Sequence, residues 1–302
     1  MQSWERSYKM DENHRRPKIF TSRDKPERER KLRVSAGSWA EKAHSLHQIL
    51  KFVLEDHTHF ITLDLPPYAS NFSKQLVSTA HSPSNIKPLH QRLYWATKML
   101  SGYQLSDQSL VELRTERMLN DACWEQVVKF VIVGAKERTL SRREISNYLD
   151  GFGINLSVLP EDAYELAKKI IGNTIPKPVA CLQGQSIPIL YYPSGQNEII
   201  FEIKFDLGMG HSFDGYKIDI VEIEVELKDS DQKINLEHIE GLFDTSEHIL
   251  RTAFPGVLEQ TTVSKPTPLF RHMREWQSRD IDSFEAAYEA LSDSQWTESM
   301  RS

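Results

Sequence analysis

Only two of the 302 residues are cysteine, Cys123 and Cys181. That is too few for a disulfide framework or a thiolate zinc site, so the expected setting is reducing and cytoplasmic. Long apolar runs are missing as well. Stretches such as FVIVGA at 130–135 fall far short of the roughly 20 residues a membrane-spanning helix needs. The start, MQSWERSYKMDENHRR, has no apolar core of the kind a secretory signal carries. There is no overall basic surplus, since the net charge is −6. Residues 1–33 hold eleven Lys/Arg against six Asp/Glu, a local +5 that leaves −11 for the rest. A chain acidic over most of its length argues against nucleic acid as a partner, because phosphate contacts need a basic footprint. The basic start reads as a solvated arm, 1–24. No repeat of solenoid length is present.

What the chain does have is enough apolar and aromatic material, 39% and 10%, for one large domain or two ordinary ones. Residues 38–55 place Trp39, Ala43, Leu46, Ile49, Leu50 and Val53 at helical spacing behind a capping serine. HFITLDL (59–65) reads as a strand, and HQRLYWATKML (90–100) fits either a strand or a short helix. Strands are expected at VELRTERM (111–118), WEQVVKFVIVG (124–134), PVACLQG (178–184), IPILYY (187–192), EIIFEIKFDLG (198–208) and KIDIVEIEVELKD (217–229). RREISNYL (142–149) leads to a helix over 160–171, which opens on Pro and acids. Further helices are expected over 234–253 and 281–292. Many strands with a few helices between them predict an antiparallel α+β fold.

Two strands carry carboxylates at a spacing of two. Side chains alternate across a strand, so Glu222, Glu224 and Glu226 share one face, as do Glu27, Glu29 and Lys31. Like charges roughly 7 Å apart repel. Either these faces are solvated, or they form a polar interior in which carboxylates hold hard divalent cations. Arg114, Arg117, Lys129, Arg142, Glu144, Glu202, Lys204 and Asp206 recur strand after strand between them. Alternating charge of both signs suits a closed barrel that grips a polyanion, cations on phosphate oxygens and carboxylates on bridging metal. Two other features have plainer readings. GMGHSF with His211 is a hairpin and not a dinucleotide loop. Glu55, Asp56, His57 and His59 in EDHTH form a polar helix end and not a metal site.

In order, the ExExK motif Glu27-Arg28-Glu29-Arg30-Lys31, the Arg114/Arg117 strand, VVKF with Lys129, Arg142-Arg143-Glu144, FEIKFD with Asp206, IVEIEVEL and Ser264-Lys265 resemble the CYTH, or triphosphate tunnel metalloenzyme, family. That family includes inorganic, thiamine and RNA triphosphatases and class IV adenylyl cyclases. The likeness spans about 25–270. It departs from the family where Arg114 and Arg117 stand three apart instead of two, with Glu112 at the position two before Arg114. The family's cation ahead of the Asp strand would fall to Lys177.

The resemblance implies an eight-stranded antiparallel β-barrel with helices packed outside. It implies a tunnel domain over 25–275 with an insertion at about 56–107, then a C-terminal helix and tail over 276–302. Metal ligands for Mg²⁺ or Mn²⁺ would be Glu27, Glu29, Asp206 and two of Glu222, Glu224 and Glu226. Lys31, Lys129 and Arg142 would act in catalysis, and Arg114, Arg117, Lys204 and Lys265 in binding a small-molecule triphosphate. The implied reaction is metal-dependent triphosphate hydrolysis. The cyclases of the family carry a His-Phe pair ahead of ExExK, whereas Phe20 has no His beside it. Cyclisation of ATP, and a barrel that binds a nucleotide or polyphosphate without turnover, are the alternatives.

Overall fold

Alternation along one strand already sets the architecture: on residues 27–34 the odd positions are charged and the even positions from Leu32 on are apolar. A sheet built this way hides its apolar face under helices and must give the charged face an interior of its own. The computed structural model describes residues 23–35, 37–63, 88–98, 100, 111–118, 124–131, 139–149, 153–172, 174–193, 199–228, 235–292 and 296. The basic arm, most of the 56–107 stretch, Cys123 and Phe20 lie outside them.

The strands are β1 (Arg23–Val34), β2 (Phe60–Thr62), β3 (His90–Ala96), β4 (Val111–Met118), β5 (Trp124–Val131), β6 (Leu140–Leu149), β7 (Lys177–Pro193), β8 (Phe201–Ser212), β9 (Lys217–Leu227) and β10 (Leu258–Thr261). The helices are α1 (Trp39–Glu55), α2 (Glu161–Ile171), α3 (Leu236–Ala253), α4 (Thr267–Arg279) and α5 (Ile281–Ala290). Eight strands close into an antiparallel barrel in the order β1-β6-β5-β4-β3-β7-β8-β9, and β9 returns to β1 with Glu29 opposite Glu226 and Lys31 opposite Glu224. On its other side β1 pairs first with β6 and then with β10, while β2 extends the far end of β7. A wall strand, β3, therefore falls inside the 56–107 stretch.

Two apolar layers cover the outside. Leu32, Ile187, Phe201, Ile203, Phe205, Ile223 and Val225 pack against α1 and α3, which supply Leu46, Ile49, Leu50, Val53, Ile239 and Phe243. Leu93, Leu113, Val128, Ile145, Val179 and Ile220 pack against α2, α4 and α5, with Ala163, Ala167, Leu269, Phe270, Met273, Phe284 and Tyr288. Full burial of such side chains contributes on the order of 1.5–3 kcal/mol each. Trp296 is anchored on this side, its Nε1 donating to the Pro178 carbonyl at 2.9 Å and its ring stacked on His211.

The local signals explain the element ends. Ser38 and Glu41 close a capping box at the start of α1. Glu161 and Asp162 sit in the first turn of α2 and Lys168 and Lys169 in its last, matching the helix dipole, and Gly172 ends it at φ +74°. At the bottom of α1, Asp56 accepts from the backbone of Thr58 and from His59 Nδ1 at 2.8 Å, a local turn and no ligand cluster. The long ribbon β7–β8 crosses at Gly184 opposite Gly208, where a Cβ on either residue would lie 2.4 or 2.3 Å from the neighbouring strand's carbonyl oxygen.

Two expectations are corrected here. The segments at 178–184 and 187–192 are one continuous strand, β7. Lys177 does not reach the interior; its ammonium donates to the carbonyls of Tyr288, Glu289 and Leu291 and so caps α5.

Candidate active site

The lumen is lined from almost every wall. Glu27, Glu29 and Lys31 come from β1, Arg92 and Tyr94 from β3, and Glu112, Arg114 and Glu116 from β4. Lys129 comes from β5, Arg142 and Glu144 from β6, Lys204 from β8, Glu224 and Glu226 from β9, and Lys228 follows β9. Ser264, Lys265 and Pro266 enter from the lead-in to α4. These residues surround a cavity of about 150 Å³. Seven of them are carboxylates and eight are Lys or Arg, so the interior as a whole is close to neutral.

Pairing across strands accounts for the contacts. Glu27 lies opposite Arg142. It accepts from Lys129 Nζ at 2.5 Å and Arg142 Nε at 3.1 Å. The other face of Arg142 binds Glu29, and Glu112 lies 3.8 Å away. Lys31 sits between Glu29 at 3.2 Å and Glu224 at 2.8 Å, and Lys265 joins Glu224 at 2.8 Å to Asp206 at 2.7 Å. Lys204 lies 3.7 Å from Glu226 and 3.8 Å from Glu224, and Lys228 bonds Glu226 at 2.8 Å.

Burial pushes Glu27, Glu29 and Glu224 up, and the neighbours decide the outcome. For Glu27, Lys129 and Arg142 outweigh burial and hold it well below the ordinary value. Lys265, Lys31 and Lys204 do the same for Glu224. Glu29 goes the other way: burial, with Glu27 and Glu224 adding repulsion, overcomes Arg142 and Lys31 and raises it. Further along, Asp206 Oδ1 and Glu222 Oε2 are buried without a hydrogen-bond partner, although Arg33 binds the other Glu222 oxygen at 2.7 Å.

Most of the residues singled out from the sequence face this interior: Glu27, Glu29, Lys31, Arg114, Lys129, Arg142, Lys204, Glu224, Glu226 and Lys265. Asp206 borders a small annex with His90, Arg92 and Lys265. Glu222 points inward at the Arg33 end, so the pair beside Glu29 and Lys31 is Glu224 with Glu226. Arg117 does not join Arg114. β4 runs without a bulge, residues three apart on a strand face opposite ways, and the Arg117 guanidinium lies 4.7 Å over the Trp124 ring.

Sequence reasoning missed Arg92, Tyr94, Glu116 and Lys228. Glu116 and Lys228 each continue a row of alternate residues, 112-114-116 and 222-224-226-228, so the signal was period two carried one step further; Arg92 and Tyr94 lie on β3, which carried no row to extend. Cys181 lies outside the lumen, packed into the outer core, and burial pushes its thiol up to about 12, which leaves it no role as a nucleophile.

No protein-family model matches the chain, and no curated protein matches it. Alignments to solved structures are remote. One is to HpAC1 from Hippeastrum, an adenylyl cyclase candidate described as having a dominant triphosphatase activity. It is 16% identical over 82% of this chain and 95% of that one, with a TM-score of 0.43. The PH1819 protein of Pyrococcus horikoshii OT3 aligns at 14% identity over 82% and 99%, with a TM-score of 0.39. The RNA triphosphatase Pct1 of S. pombe aligns at 14% identity over 88% and 86%, with a TM-score of 0.20. In the chain itself, an ExExK strand and an ExE strand lie side by side and face one charged lumen in a closed eight-stranded antiparallel barrel.

Proposed function

We propose that the protein hydrolyses a triphosphate inside this barrel with the help of a divalent cation. The observation that carries the reading is the division of the lumen. Carboxylates of β1 and β9 (Glu27, Glu29, Glu224 and Glu226) meet cations of β5, β6 and the α4 lead-in (Lys129, Arg142 and Lys265) in one enclosed space.

The donor set suits Mg²⁺ or Mn²⁺, which prefer carboxylate oxygens. Glu29 is crowded by Glu27 and Glu224, and Asp206 and Glu222 each keep a buried oxygen without a donor. Among the described residues no three acidic, imidazole or thiol groups are already gathered around one point, because Lys31 and Arg142 stand between the carboxylates. Glu27, Glu29, Glu224 and Glu226 would hold the ion, with Asp206 and Glu222 next along the barrel. A bound divalent ion supplies positive charge and a lower pKa for an attacking water.

The protein's own cations do the remaining work. Lys31, Lys129 and Arg142 leave their carboxylate partners for phosphate oxygens, where they offset the charge that develops on the leaving phosphate. Arg114, Lys204 and Lys265 hold the rest of the chain in line, and Arg92 joins them. A near-neutral lumen takes up a polyanion only weakly by itself, so a bound cation strengthens phosphate binding. No protein nucleophile is required.

The test is phosphate release from tripolyphosphate, ATP and thiamine triphosphate with Mg²⁺ or Mn²⁺, with cyclic AMP assayed in the ATP reaction. Release that needs the ion and is abolished in Glu27→Ala/Glu29→Ala supports the proposal. Cyclic AMP in place of phosphate would move the protein to the cyclases, and triphosphate binding without either product would make it a sensor.

A further inference from the structure

The carboxylates of β4 have different company from those of β1 and β9. Glu112 and Glu116 flank Arg114 on the inward face, at the only spacing that puts three successive side chains in one row. Glu112 accepts from Arg114 at 3.1 Å, lies 3.8 Å from Arg142 and stands opposite Lys129. Glu116 lies 3.0 Å from Arg92 and 3.1 Å from Arg114. Around Glu112 the charged neighbours that act most strongly are Arg114, Arg142, Lys129 and Lys31; around Glu116 they are Arg114, Arg92, Lys129 and His90. Neither has a carboxylate in that company, whereas Glu29 has two. A divalent ion needs several oxygens at once, and this wall offers them singly, each embedded in cations.

We infer that Glu112, assisted by Glu116, is a built-in counter-anion: it occupies the phosphate-binding cations of the empty barrel and sets the affinity for the phosphate chain by competing with it. The inference rests on the triphosphate reading. Burying the Arg114 and Arg142 guanidinium groups is costly, and Glu112 adds its charge to that of Glu116 beside Arg114 and to those of Glu27 and Glu29 beside Arg142. Glu112 lowers that cost in the empty protein, and the incoming phosphate must displace it. Affinity for a polyanion is thereby lowered, in exchange for a stable empty barrel.

The experiment is calorimetric titration of tripolyphosphate into the wild type and Glu112→Gln in EDTA, where no turnover confuses the binding, and again with Mg²⁺. Glutamine keeps the shape and removes the charge. Glu112→Gln is expected to bind tripolyphosphate roughly tenfold tighter or more in EDTA. Empty, it should melt below the wild type, with a larger rise in melting temperature when tripolyphosphate is added. Equal or weaker binding overturns the inference. So does a loss of Mg²⁺ affinity measured without phosphate, which would make Glu112 a metal ligand. Should Glu112→Gln fail to fold, Glu116→Gln is measured in the same way and is held to the same outcomes. If neither protein binds tripolyphosphate with or without Mg²⁺, the triphosphate reading fails and this inference with it. If the wild type binds and the variants gain nothing, only this inference falls.

Discussion

Arg30 offers the sharpest test of the packing, because it sits on β1 between Glu29 and Lys31 yet points the other way. Its side chain is 3% exposed and its guanidinium is surrounded. Nε donates to Thr139 Oγ1 at 3.1 Å, Nη2 to Glu240 at 2.9 Å, and Nη1 to Asp244 at 2.5 Å and Glu247 at 3.3 Å, while Phe243 packs against the plane. This knot fastens α3 to the strand whose opposite face lines the charged lumen. Arg30→Met keeps much of the volume and removes the charge. Asp244 is 57% exposed and can turn to water, but buried Glu240 keeps only the Thr139 hydroxyl and buried Glu247 only the half-exposed Arg251. Breaking a buried pair from one side costs about 3–5 kcal/mol, which in a chain of this size lowers the melting temperature by about 6–10 °C. Adding Glu240→Gln and Glu247→Gln to Arg30→Met should recover more than half of the loss, since the uncompensated charges are then gone. Thermal and urea melts of the three proteins decide the matter. A loss below about 1 kcal/mol for Arg30→Met, or no recovery in the triple variant, would refute a buried ionic knot.

Three further outcomes are expected. Consecutive residues on β6 should differ sharply: Arg142→Ala loses metal-dependent phosphate release, while Arg143→Ala, whose guanidinium faces Asp162 of α2 outside the barrel, keeps kcat and KM within about twofold; equal losses would mean the strand faces are misassigned. Gly208→Ala drives a Cβ to 2.3 Å from the Gln183 carbonyl oxygen and should cost about 2–3 kcal/mol, whereas Gly241→Ala, in the open on α3, should gain about 0.5–1 kcal/mol; denaturant melts showing the reverse order would contradict the described crossing of β7 and β8. Arg114 and Arg92, outweighing burial, bring Glu116 from 4.5 to about 2, so its ionised form stabilises the fold above about pH 4.5 and that contribution, about 3 kcal/mol, is lost as the pH falls toward 2. Glu116→Gln should therefore be less stable than the wild type at pH 7, with the gap about halved by pH 3 and closing only near pH 2; a gap that does not change with pH would show that the carboxylate is not held ionised by those arginines.

Period-two alternation was readable wherever charge and apolar residues took opposite faces, which is why β1 and β9 and their inward Glu and Lys rows stood out in the sequence. The same rule, pressed further, excludes Arg117 from the face of Arg114, and extends the rows to Glu116 and Lys228. β7 was harder: Gly184 and Pro188 look like interruptions, but the glycine serves the close crossing and the strand continues through both. α4 was missed because Pro266 and Pro268 suggest a loop. Both stand at its very start, where a missing N–H costs nothing, and Leu269, Phe270 and Met273 then pack inward. What no local pattern contains is the order of strands. That β1 lies between β6 and β9, and that Lys265 from a lead-in segment reaches Asp206 and Glu224, are results of long-range pairing.

The most direct test of the central claim is a crystal structure of the protein with tripolyphosphate and Mn²⁺, the ion located by its anomalous signal. The account expects the ion on carboxylate oxygens of Glu27, Glu29, Glu224 or Glu226 and the phosphate chain along Lys31, Lys129 and Arg142 inside the barrel. A phosphate chain bound on the outer surface, with the lumen's ion pairs intact, would contradict it.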